Sequence, residues 1–149
     1  MTQPSATPTV RIKSANRVSA TWKGGQRFET GRPGGPVSTI DGDAKAGQSP
    51  VDSVLSGLAA CTSIDVLSIL AKRRTPVQAL TVDVVGERVD AVPSRLARVL
   101  LHFRIDGEGI DRVQAERAVE LSVTKYCSVR DSLDPNIPVE WSIELNGRV

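Results

Sequence analysis

One stretch constrains this chain more than any other: residues 49–72, SPVDSVLSGLAACTSIDVLSILAK, which open with helix-start chemistry and carry a cysteine near their middle. Ser49 suits an N-cap, Pro50 the first helical position, where its missing N–H costs nothing, and Asp52 the place of a capping-box acid. From Val51 to Leu70 the apolar residues occupy nearly every side of a 3.6-residue wheel, so the spacing predicts a long helix covered all round. With a rise of about 1.5 Å per residue it would span ~30 Å, the width of a small domain, and the rest of the chain can be pictured as wrapping it. Asp52, Asp65, Gly57 and the hydroxyls of Ser53, Ser56, Thr62, Ser63 and Ser68 break the ~20-residue apolar run that a bilayer requires, which argues against a membrane span.

A chain of 149 residues is expected to form one domain, 1–149, with a core that needs neither disulfide nor metal staples. A net charge of +2 gives no basic field for nucleic acid. Five aromatic residues, Trp22, Phe28, Phe103, Tyr126 and Trp141, are too few for a stacking platform. Residues 1–7 are polar and are expected to fray. The start MTQPSATPTV has neither the charged n-region nor the apolar h-region of a signal peptide, so the expected setting is the reducing cytoplasm, where two cysteines are thiols and not a structural bridge.

Along the chain, Val10–Ile12, Val18–Trp22 and Arg27–Thr30 read as three strands of an antiparallel meander, with turns at residues 14–16 and at Gly24-Gly25. Residues 31–48 hold five glycines and two prolines around a short strand, Val37–Ile40, and read as a loop feeding the long helix. Lys72, Arg73 and Arg74 complement the helix C-terminus and Thr75-Pro76 stops it. Leu80–Val85, Glu87–Val89 and Leu96–Ile105 predict a second antiparallel group. Asp111 then caps another helix, with Val113, Ala115, Ala118, Val119, Ser122 and Tyr126 on one face and Cys127 at its end. Val139–Leu145 is the last strand.

The chemistry-bearing residues are few: Cys61, Cys127 and His102. Zinc needs three or four ligands, and no CxxC, no HExxH and no second histidine is present. His102 lies in an apolar strand and reads as an exposed or structurally satisfied residue. Phosphate-loop, dinucleotide and serine-hydrolase motifs are absent. Either cysteine alone could be a small buried hydrophobe. If the two sulfurs meet, one thiolate can attack a peroxide and become a sulfenic acid, and the other can condense with it to a disulfide. Such a thiolate needs a cation or hydrogen-bond donor. Arg27 is the first candidate, then Arg32 and Arg130, because Asp65, one turn beyond Cys61, would oppose the charge unless paired. Asp52 precedes Cys61 by nine residues, ~13 Å on a continuous helix, so capping fits it better than contact with the sulfur.

Residues 49–66, with SPVDSVL and GLAACTSIDV, resemble the first-cysteine helix of the OsmC/Ohr family, the osmotically inducible and organic hydroperoxide resistance proteins. AVELSVTKYCSV at 118–129, preceded by the strand VLLHFRI at 99–105, looks like that family's second-cysteine helix. The resemblance runs from about Val18 to Leu145, and the wording is closest to a less characterised branch. It implies an α+β fold in which antiparallel sheets wrap long central helices in an intertwined homodimer. It also implies thiol-dependent reduction of hydroperoxides without metal, flavin or other cofactor, with reductant from dithiols, lipoyl-type proteins or small thiols. Cys61 then matches the peroxide-attacking cysteine and Cys127 the resolving one. An arginine from the N-terminal sheet, taken as Arg27, and an acid at the helix start, Asp52, complete the site. In the hydroperoxide branch the acid directly follows the proline, where this chain has Val51. Two other readings stand beside the peroxidase: a thiol switch or ligand-binding dimer on the same fold, and a structural dimer with inert cysteines.

Overall fold

The computed structural model describes residues 10–149; the segment expected to fray, 1–7, lies outside the described residues. The chain divides into two compact units, one ending at Pro50 and one running from Val51 to Val149.

In the first unit, β1 (Ser19–Trp22), β2 (Arg27–Gly31) and β3 (Ser38–Asp41) form an antiparallel meander, with Trp22 opposite Phe28 and Arg27 opposite Asp41. The expected strand at Val10–Ile12 and its hairpin are not formed: residues 10–18 carry no regular element. Three alternating residues without a paired neighbour have no ladder to join, and the strand at Val37–Ile40, shifted to Ser38–Asp41, takes the third place. The loop after β3 is organised by Asp41, which is buried and accepts N–H groups of Asp43 and Ala46 at 2.9 Å and of Lys45 at 3.3 Å. The hydrogen bond from Ala46 leads in holding this carboxylate below its ordinary pKa; those from Asp43 and Lys45 and the nearby Arg27 act the same way.

The second unit is built on α1 (Pro50–Lys72) and a sheet of β4 (Ala79–Arg88), β5 (Leu96–Asp106) and β6 (Val139–Leu145) in the order β4-β5-β6. Between β5 and β6 come α2 (Arg112–Leu121), a π-turn (Ser122–Tyr126) and the short α3 (Ser128–Ser132). β4 and β5 are antiparallel, but β6 runs parallel to β5, which corrects the expectation of a wholly antiparallel group. The helical crossover through α2 carries the chain back to the start of the sheet, the connection parallel strands require. β4 is also one strand and not two. Gly86 does not punctuate it; a Cβ there would lie 2.8 Å from methyls of Leu55 and Leu96, so the glycine lets α1 seat on the sheet.

The core of this unit takes Val99, Leu101, Phe103 and Ile105 from alternate positions of β5, Ala115, Ala118 and Val119 from α2, and Ile143 and Leu145 from β6. From α1 it takes Leu58, Thr62, Val66 and Leu70, spaced by four. Only this stripe is fully buried. Val54 is 39%, Ile64 62% and Leu67 40% exposed, so a single copy of the chain does not cover the helix all round as its sequence predicts. By length and composition α1 would pass for a bilayer span, but its buried stripe packs into a sheet-backed core, as a core helix does.

Candidate active site

The site is assembled where α1 meets the second helical segment. Cys61 stands in mid-α1, half-buried against the core, and Cys127 follows the π-turn and is buried. Both are free thiols, and the two side chains lie close enough for Cys61 to act on the Cys127 thiol. Burial, first of all, pushes the Cys127 thiol up to about 11, and its contact with Cys61 adds to the shift by favouring the protonated form; the N–H groups of Arg130 and Val129 pull the other way. Cys127 therefore keeps its proton at neutral pH.

A second tie fixes the pair. The buried Ser122 hydroxyl shares its hydrogen between the Thr62 carbonyl at 2.9 Å and Asp65 Oδ2 at 3.1 Å. Asp65, a charge that would oppose a thiolate at Cys61, thus has a donor. Two rungs join the segments, Asp65 to Ser122 and Cys61 to Cys127, four residues apart on α1 and five apart on the other side. On an α-helix residues five apart diverge by about 140°, so Ser122 and Cys127 could not both face α1. The π-turn removes the mismatch: the Cys127 N–H donates to the Ser122 carbonyl at 2.9 Å, five residues back, bringing both side chains to one face. The same turn corrects the helix face read from the sequence at Tyr126, which is left 50% exposed; Val113, the second residue of α2, is also off that face, at 76% exposed.

Beyond Cys127 the backbone turns. The Cys127 sulfur caps α3 by accepting the Arg130 N–H at 3.3 Å. The Arg130 guanidinium is occupied elsewhere: it donates to the carbonyls of Asp134, Pro135 and Ile137 at 3.2, 3.4 and 3.0 Å, pinning the loop before β6. Of the three arginines considered from sequence, Arg130 thus meets the sulfur only through its backbone. Arg27 lies at the head of β2 in the first unit, lining a cavity of about 270 Å³ with Lys23, Phe28 and Glu29, and Arg32 lies in the turn after β2. Asp52 sits in the first turn of α1. Because α1 is unbroken to Lys72, Asp52 stays ~13 Å from Cys61 along its own helix. His102 is on the outer face of the sheet, its Nδ1 2.7 Å from Ser142 Oγ and its Nε2 3.7 Å from Glu144, the satisfied histidine expected. No cluster of three or more His, Cys, Asp or Glu side chains able to hold a metal is present among the described residues. Ser122 was the residue that sequence reasoning placed on a helix face without a role.

Comparison with known proteins places this arrangement. Residues 42–142 match the family described as OsmC-like protein. Protein YhfA of Escherichia coli is 33% identical over 125 residues, covering 83% of this chain and 93% of that protein. Among solved structures, an OsmC-like protein from Mycoplasma pneumoniae superposes with a TM-score of 0.78 at 16% identity, covering 90% of this chain and 99% of that one. An organic hydroperoxide resistance protein from Legionella pneumophila gives 0.66 at 16% identity, covering 89% and 99%. At these identities the structures share the fold.

Proposed function

The chain belongs to the OsmC family, and from that premise we propose that it is a two-cysteine peroxidase that reduces organic hydroperoxides or hydrogen peroxide. The observation that carries this reading is the direct contact between Cys61 and Cys127 in a chain whose other residues offer no competing chemistry. The Cys61 thiolate attacks the terminal peroxide oxygen; the O–O bond breaks, the alcohol or water leaves with a proton, and Cys61 becomes a sulfenic acid. Cys127 then attacks that sulfur, and water leaves as the disulfide forms. Two electrons have passed from the thiols to the peroxide, and a dithiol reductant of the lipoyl type returns them.

In this reading Arg27 supplies the cation for the Cys61 thiolate, and Asp52 acts at the head of α1 through the helix dipole and not by touching sulfur. The working unit is a homodimer in the cytoplasm, in which a second copy covers Val54, Ile64 and Leu67, the apolar residues that α1 leaves exposed. The test is consumption of tert-butyl hydroperoxide and of hydrogen peroxide with dihydrolipoamide as reductant. Turnover of either supports the proposal; a disulfide that forms with no turnover of any reductant points instead to a redox switch. The pH dependence of the resolving step is a further mark. Because burial holds the Cys127 thiol near 11, its reactive thiolate fraction lies far below one at neutral pH. Disulfide formation from the sulfenic acid should therefore accelerate about tenfold per pH unit from pH 7 towards pH 10. A pH-independent rate across that window would contradict the assignment of Cys127 as the buried resolving thiol.

A further inference from the structure

A cavity of about 520 Å³ reaches Cys127 between the π-turn and the loop before β6. Its walls include Val123, Leu133, Ile137 and Val139, with the charged residues Lys125, Arg130 and Asp131 also lining it. No residue of α1 lines it, so the cavity reaches Cys127 and not Cys61. The loop that closes it is held by the three carbonyl contacts of Arg130.

From this geometry we infer that the cavity is the reductant's route, that it admits a thiol carried on a slim alkyl chain, and that the thiol attacks Cys127 and not Cys61. The inference rests on the two-cysteine cycle proposed above. Thiol–disulfide exchange runs through attack of a thiolate on one sulfur with the other as leaving group. A thiolate arriving through this cavity meets the Cys127 sulfur and not the Cys61 sulfur. The new S–S bond forms between reductant and Cys127, the Cys61–Cys127 bond breaks, and Cys61 leaves as a thiolate already in the state that attacks peroxide. The reductant's second thiol then attacks its own disulfide-bonded sulfur, leaves as a cyclic disulfide and returns Cys127 to the thiol form. Leaving-group chemistry favours the same direction, because burial makes Cys127 a poor leaving thiolate. With Lys125 and Arg130 against Asp131 the lining carries one more positive than negative side chain, which disfavours a cationic thiol.

The test uses the full-length protein with its disulfide formed by diamide, so that it does not depend on any reaction with peroxide. A brief pulse of 2-mercaptoethanol is quenched with N-ethylmaleimide and the modified peptides are mapped. The expected product carries mercaptoethanol on Cys127 and maleimide on Cys61, in at least about tenfold excess over the reverse. The reverse labelling overturns the inference. Filling the cavity gives a second readout. Leu133→Trp, or Asn136→Trp on an exposed lining residue, should slow reduction of the disulfide by dihydrolipoamide about tenfold or more while leaving the first oxidation of Cys61 by peroxide unchanged. Unchanged reduction in both variants also overturns it. Loss of peroxide reactivity in the unmodified protein would instead sink the peroxidase reading and leave the labelling result standing as a statement about the disulfide.

Discussion

Cys61→Ser is expected to lower peroxide turnover by roughly 1,000-fold or more, to the level of the solvent reaction, while leaving the fold intact. A serine hydroxyl is close in size to the thiol but does not ionise at neutral pH, so the nucleophile is lost and little packing is. Cys61 is half-buried and sits beside the buried stripe, not within it, which is why stability should hold. Cys127→Ser should behave differently. Its Cys61 still reacts once with peroxide, and the sulfenic acid then persists, can be trapped with dimedone, and proceeds to sulfinic acid when peroxide is in excess. Turnover surviving in Cys61→Ser would transfer the attack to another residue and end the assignment.

Inserting one alanine after Thr124 in the π-turn is expected to cut peroxide-driven disulfide formation at least about 100-fold, with Cys61 still sulfenylated at the rate of the intact protein. The residue is exposed, and its hydroxyl contacts only the Glu120 carbonyl, at 2.7 Å. One added residue carries the chain about 100° further round the helix, which turns Cys127 away from the face it shares with Ser122. The Ser122 tie to Thr62 and Asp65 can then survive, while the sulfurs no longer meet. The readout is dimedone labelling of Cys61 against loss of free thiols, with circular dichroism as the check on folding. Disulfide formation at the original rate in this variant would show that the π-turn does not set the pair.

The parts of the site that lie on regular elements were legible in the sequence. Ser49-Pro50 marks the start of α1 and the Cys61 and Cys127 segments carry their own wording, so the helices and the α+β class were within reach of the sequence. What was not legible depends on contacts between segments. A π-turn adds one residue to a helix without altering the apolar character of its face, so Val123 and Tyr126 read as ordinary helical positions and Ser122 as a face residue. Strand direction was equally hidden: Val139–Leu145 alternates in the same way whether it runs parallel or antiparallel to β5, and only the crossover through α2 decides. Val10–Ile12 failed for the reverse reason, having the alternation of a strand and no partner. The all-round apolar character of α1 reads as a demand for cover, whereas one copy of the chain covers only the stripe through Leu58, Thr62, Val66 and Leu70.

The most direct test of the central claim is a titration of the reduced protein with one equivalent of tert-butyl hydroperoxide, followed by counting free thiols and weighing the intact chain. The two-cysteine account predicts that both thiols disappear together, that the mass falls by about 2 Da, and that the lost thiols are Cys61 and Cys127 in one disulfide. Two thiols remaining after exposure to the peroxide, with an unchanged mass, would contradict it.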